Sequence, residues 1–121
     1  MLNVHDYFQR ACQRGVEPLT GVPGEQCFDS DGNNARFWLA TDGGRIVQAR
    51  FKCTTCCTLV GLCEHAAELL SGMTVADAEQ CSARRLLVLH PEIPEMRHDR
   101  ATLVVDAIRS AALCAKMEAY A

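Results

Sequence analysis

The alternation of apolar and polar positions divides the chain into a short helix, a pair of strands and a set of helices. Val4, Tyr7, Phe8 and Ala11 recur at helical intervals and Gly15 follows as a stop, which predicts a helix over Val4–Arg14. Residues 16–34 are rich in Gly, Pro, Asp and Asn and predict a loop with room for a short strand. Ala35–Thr41 and Arg45–Cys53 both read as strands, and Asp42-Gly43-Gly44 between them supplies the positive φ angles of a tight hairpin. In the second strand Val47, Ala49, Phe51 and Cys53 are expected on one face, with Gln48, Arg50 and Lys52 on the other. A three-residue loop would pair Leu39 with Val47 and Phe37 with Ala49. A two-residue loop would instead bring Trp38 to the apolar face, so the pattern leaves the register open.

Past the hairpin, Leu59, Cys63, Ala66 and Leu70 form one stripe of a helix over Thr58–Ser71, widened by Val60 and Ala67 and ended by Gly72. Short helices are expected at Val75–Gln80 and Ser82–His90, then a loop broken by Pro91 and Pro94. A last helix is expected from Asp99 to Tyr120, with Leu103, Val104, Ala107, Ile108 and Ala111 inward. This order predicts an α+β fold, a small antiparallel β-sheet with helices packed on one face. At 121 residues, the expectation is a single domain spanning 1–121.

Charge and composition narrow the function. A net charge of −3 with no basic stripe argues against nucleic acid, and no apolar run reaches the ~20 residues that span a bilayer. The N-terminus lacks a basic region followed by an apolar run, so the expected location is cytoplasmic. No Ser-His-Asp set, phosphate-binding glycine loop or paired acid/base carboxylates stands out, which speaks against a hydrolase or nucleotide enzyme.

The eight cysteines then become informative, because clustered thiols in a reducing compartment bind metal or react. Cys53-Thr54-Thr55-Cys56-Cys57 falls at a strand-to-helix junction. Cys56 and Cys57 are expected in the first helical turn with Thr55 as N-cap, where free N–H groups and the helix dipole favour a thiolate. A structural zinc site needs a second C-x-x-C pair, and the sequence has none. Cys63 lies seven residues past Cys56, ~10 Å along the helix, too far to share an ion with it, and reads as a packing residue. Cys53 reads equally as ligand or packing residue, while Cys12, Cys81 and Cys114 read as packing. His5, His65 and His90 read as surface or internally satisfied side chains. His98-Asp99 falls at the start of the last helix, where Asp99 is also a natural cap.

Several motifs together resemble the U-type iron–sulfur cluster assembly scaffolds, IscU and the N-terminal domain of NifU. They are Ala49-Arg50-Phe51-Lys52 before Cys56, then Leu69-Leu70-Ser71-Gly72-Met73-Thr74-Val75-Ala76-Asp77-Ala78, then Ile93-Pro94-Glu95-Met96-Arg97-His98-Asp99, and last Asp106-Ala107-Ile108-Arg109-Ser110-Ala111-Ala112. The opening His5-Asp6-Tyr7-Phe8-Gln9-Arg10 also resembles that family's first helix. The resemblance covers nearly the whole chain and implies an IscU/SufE-like fold. It further implies a scaffold or carrier, not an enzyme, that holds a transient [2Fe–2S] cluster through three cysteines and an aspartate. The implied partners are a cysteine desulfurase, recipient apo-proteins and, through the weak motif at Ile93–Arg97, an Hsp70-type chaperone.

Residue by residue, Cys56 matches the middle cysteine. The first ligand motif, Cys-Gly-Asp, corresponds to Cys27-Phe28-Asp29 with a lengthened loop, or to Ser30-Asp31-Gly32 without one. At the third cysteine the ungapped register places Arg100, and Asp99 stands where the family has histidine. The ligand set that the resemblance implies is therefore drawn from Cys27, Asp29, Cys53, Cys56, His98 and Asp99, with Cys57 as an alternative to Cys53, for a [2Fe–2S] cluster or Zn²⁺ in its place. Two further readings follow from Arg100: a related protein that binds zinc or no metal and docks on the desulfurase, or a persulfide acceptor using Cys56 or Cys57.

Overall fold

The structure is a computed structural model and describes residues 1–119. Helix α1 spans Val4–Arg14, as the periodicity predicts. Its start is held by a capping box in which Asn3 and Asp6 each accept the other's backbone N–H. Two short strands, β1 (Val22–Pro23) and β2 (Cys27–Phe28), interrupt the following loop, and the long hairpin β3 (Asn34–Asp42) and β4 (Arg45–Cys53) comes next. Helices α2 (Cys57–Leu70), α3 (Val75–Glu79) and α4 (Ala83–Leu89), a 3₁₀ turn over Glu95–Arg97, and α5 (Asp99–Glu118) complete the chain. Tyr120, where the last helix was expected to end, lies outside the described residues.

All pairings are antiparallel: β3 is central, with β4 along one edge and β1 and β2 sharing the other. The hairpin resolves the open register in a third way. Its loop has two residues, Gly43 and Gly44, at φ 59° and 81°, and Asp42 pairs with Arg45. A bulge then intervenes, because Thr41 pairs with Ile46 while Ala40 pairs with Gln48. The extra residue, Val47, is turned out to solvent and is 56% exposed, and Ile46 is buried in its stead. The expectation that Val47 shares a face with Ala49 is thereby corrected. The one-residue shift brings Leu39 opposite Ala49 and Phe37 opposite Phe51, so Phe37 and Leu39 still face the core.

Helices α2 and α5 cover that face. Leu59, Cys63, Ala66 and Leu70 of α2 are buried as the stripe predicts, with Leu62 added, and Leu103, Val104, Ala107, Ile108 and Ala111 of α5 are buried too. Each large side chain withdrawn from water here stabilises the fold by roughly 1.5–3 kcal/mol. Helix α1 packs on α2 instead of the sheet. The crossing is close because Gly61 has no side chain: a Cβ there would strike the carbonyl oxygen of Val4. Cys12 is exposed, correcting its reading as a packing residue, whereas Cys81 and Cys114 are partly buried.

Candidate functional site

The site lies where the end of β4, the start of α2, the 29–33 loop and the start of α5 meet. The 29–33 loop closes on its own aspartate. Asp29 Oδ1 accepts the backbone N–H groups of Asp31 and Asn33, both at 2.9 Å, and Asp29 Oδ2 accepts Asn33 Nδ2 at 3.0 Å. Burial alone would raise the Asp29 carboxyl, but the Asn33 and Asp31 bonds and the nearby Arg100 outweigh it and hold the group below its usual value.

Arg100, in the first turn of α5, reaches back to this loop. Its Nη1 donates to Asp31 Oδ2 at 2.6 Å and to Asp99 Oδ1 and Oδ2 at 2.9 and 3.1 Å, and stands 3.9 Å from Asp29 Oδ2. Asp31 first, and then Cys56 and Asp99, push the guanidinium pKa up, against the opposing effect of burial. Only 13% of its side chain is exposed. Its Nε is buried without a hydrogen-bond partner among the described residues.

Cys56 is itself the N-cap of α2, in extended conformation, and makes no side-chain capping bond. This corrects the assignment of that role to Thr55. Thr54 stays tied to the sheet, its hydroxyl accepting Asn34 N–H at 2.8 Å, so the chain turns one residue later than expected. Cys56 N–H then donates to Thr54 O, and Val60 N–H donates to Cys56 O to start the helix. Cys57 is the first helical residue, exposed, with Sγ 3.7 Å from His5 Nδ1 of α1. Partial burial and the neighbouring Cys56 and Cys12 push its thiol up, against a smaller opposite pull from Arg97.

The residues singled out in the sequence thus separate into two groups. Asp29, Asp31 and Asp99 gather, but around the Arg100 guanidinium, whose charge Cys56 also reinforces. Cys27, Cys53 and His98 have other partners. Cys27 Sγ is directed at Glu25 O at 3.7 Å, and burial, Asp106 and Glu25 push its thiol up. Cys53 is paired with the fully buried Cys63, whose hydrogen bond lowers it. His98 Nε2 donates to Ile93 O at 3.1 Å. Among the described residues, no three His, Cys, Asp or Glu side chains are placed to hold one metal ion. A [2Fe–2S] cluster asks the protein for four donors, two to each iron beside the two bridging sulfides, and this arrangement does not bring four together.

Sequence reasoning missed two clusters. One is the Arg100 cage, for which the only signal was Arg100 falling in a ligand position of the ungapped register and Asp31 inside its first ligand motif. The other ties α1 to the body. His65 and His90 are buried, with His65 Nδ1 2.6 Å from His90 Nε2, and His90 Nδ1 lies 3.0 Å from Glu92 Oε2, which also accepts Val4 N–H at 2.7 Å. With Glu92 ionised, His90 Nδ1 is the donor to it, so in the neutral pair His65 Nδ1 donates to His90 Nε2. Tyr7 stacks on His65 at 4.2 Å and donates its hydroxyl to Glu68, which also accepts Arg10. Arg14 pairs with Glu64.

Burial, then the charge of His90, lowers the His65 pKa, with Glu68 opposing. A histidine depressed in the folded state takes up protons more readily when unfolded. Its contribution to stability is therefore complete above about pH 6.5 and is lost as pH falls below that value. Denaturant titrations from pH 7.5 to 5 should show a decline in stability from this group, and His65→Phe should flatten that slope.

No family model and no curated protein matches this chain. Solved structures do. One is the crystal structure of a hypothetical protein at 2.3 Å resolution, with TM-score 0.61 and 17% identity over 78% of this chain and 84% of that one. A nitrogen-fixing NifU-like protein (N-terminal) from Brucella abortus aligns with TM-score 0.59 and 14% identity, over 85% of this chain and 83% of that one. A putative iron–sulfur cluster assembly scaffold protein for the SUF system from Fervidobacterium islandicum AW-1 aligns with TM-score 0.54 and 11% identity, over 97% and 94%. The chain has the α+β fold of these proteins. Among its described residues no helix is long and apolar enough to cross a membrane.

Proposed function

We propose that this chain serves iron–sulfur cluster assembly as a scaffold-fold sulfur carrier, which docks on a cysteine desulfurase and accepts sulfur on Cys56. The observation that carries this reading is the Arg100 guanidinium, anchored by Asp31 and Asp99 at the position where the family resemblance asks for a third cysteine, with Cys56 among the groups that reinforce its charge. A guanidinium repels a metal ion and cannot ligate one, but it donates well to an anion. Its unpartnered Nε is a donor available to the outer sulfur of a persulfide. The fold shared with a NifU-like protein and a putative SUF-system scaffold protein supports the setting.

In the transfer step Cys56 Sγ, as thiolate, attacks the outer sulfur of a persulfide on the donor's cysteine. A bond forms between Cys56 Sγ and that sulfur. The donor's S–S bond breaks, and its electron pair stays on the donor cysteine as thiolate, so nothing is oxidised or reduced overall. Carrying sulfur this way is transport and needs no turnover. Recipients are the apo-proteins or assembly partners that take the sulfur next.

Incubation with a cysteine desulfurase and cysteine, followed by peptide mass analysis, tests the reading. One added sulfur is expected on the Cys56 peptide, absent in Cys56→Ser and reduced about tenfold in Arg100→Gln. An unmodified Cys56 overturns the proposal. If such protein, prepared without oxygen, instead carries iron and acid-labile sulfide that Cys56→Ser loses, the chain is a cluster carrier.

A further inference from the structure

We propose that Cys57 is the outlet of a two-thiol relay, in which sulfur taken up on Cys56 passes to Cys57 while His5 accepts the Cys57 thiol proton. The inference rests on the sulfur-carrier reading and adds the route by which the cargo leaves. Cys56 is half-buried at the N-cap of α2, whereas Cys57 is exposed on the first turn of that helix. An imidazole nitrogen stands 3.7 Å from Cys57 Sγ, brought there from α1 by the close crossing at Gly61. The other thiols near the junction do not compete: Cys53 is partly buried against the core, and Cys63 is fully buried within it.

The step balances without an oxidant or reductant. Cys57 Sγ attacks the outer sulfur of the Cys56 persulfide, forming a new S–S bond. The Cys56 Sγ–S bond breaks, and its electrons remain on Cys56. The thiol proton of Cys57 passes to His5 Nδ1 and from there to the Cys56 thiolate, so one thiol and one persulfide are present before and after. The product stands at the surface, where an acceptor thiol can reach it.

The test loads the full chain with inorganic polysulfide, which bypasses the desulfurase, and then presents glutathione as acceptor. Peptide mass analysis locates the sulfur, and its loss over time gives the transfer rate. Wild type is expected to show sulfur on both cysteines, with Cys56→Ser setting the level of direct labelling at Cys57. Cys57→Ser should retain sulfur on Cys56 and release it about tenfold more slowly, and His5→Ala should be slowed similarly but recover when free imidazole is added. Recovery by imidazole separates proton acceptance from a structural effect of His5. Release from Cys57→Ser at the wild-type rate, or sulfur confined to Cys56 in wild type, overturns the relay. Failure to load from the desulfurase, with Cys57-dependent release after polysulfide, sinks the carrier reading alone.

Discussion

Arg100→Met is expected to lower stability by about 2–3 kcal/mol at neutral pH. The guanidinium is the common donor to Asp31 and Asp99 and the nearest cation to Asp29, whose side chain is only 6% exposed. Without it, Asp29, Asp31 and Asp99 lose their shared counter-charge. The figure lies below that for a fully buried pair because Asp31 and Asp99 are 55% and 38% exposed and water screens them. The pH dependence follows from the direction of the Asp29 shift. A carboxyl depressed in the folded state contributes stability above about pH 4 that is lost as pH falls through its folded value. Removing Arg100 raises that folded value, so the deficit of the variant should be largest at neutral pH and shrink below pH 4, as the carboxylates protonate. Urea denaturation at pH 7 and pH 3.5 checks both parts. Equal deficits at the two pH values would mean that the side chain acts through packing alone.

The second large effect is expected from Gly61→Ala. In an ordinary helix this change stabilises by about 1 kcal/mol, because alanine is the better helix former. Here the new methyl would fall on the Val4 carbonyl oxygen and within 2.7 Å of Val4 Cγ2. Backbone cannot yield as a flexible side chain does, so α1 must lift from α2. The bonds that follow α1 are lost with it: Val4 to Glu92, Tyr7 to Glu68 and His65, Arg10 to Glu68. Overpacking of this kind costs about 3 kcal/mol, which outweighs the propensity gain and leaves a net loss of about 2 kcal/mol. Amide exchange should show protection lost over Val4–Arg14 while β3, β4 and α5 keep theirs. Because His5 leaves Cys57 when α1 lifts, the same variant should release sulfur as slowly as His5→Ala.

The contrast between the two helical stripes and the hairpin shows why some of the fold was legible and some was not. The stripes of α2 and α5 were readable residue by residue, since the 3.6-residue repeat places every fourth or third side chain on one face whatever the helix packs against. The hairpin was readable as a hairpin from Gly43-Gly44, yet its register was not. Whether Val47 or Ile46 faces inward depends on where a bulge relieves the mismatch between a two-residue turn and the apolar faces of both strands. A bulge leaves no mark in local periodicity. Cys56 was correctly placed at a strand-to-helix junction, but the exact cap was set by Thr54 bonding to Asn34, twenty positions earlier.

The candidate site divides along the same line. By itself the sequence determined that a thiol at position 56 stands at the start of a buried helix, that the fold is α+β, and that Arg100 occupies the place where a third sulfur ligand would be expected. Local pattern and propensity suffice for the first two, because they concern neighbours along the chain, and the third is what the resemblance to the U-type scaffolds implies. Only the tertiary structure decided what Arg100 does there. Its partner Asp31 lies 69 positions away, and the cage exists because the closed 29–33 loop and the start of α5 are carried to the same point by a shared sheet and core. The pairing of His65 with His90 and the approach of His5 to Cys57 were decided in the same way. A hydrogen bond or ion pair between remote residues depends on distances of a few ångströms, and those are fixed by packing, not by sequence spacing.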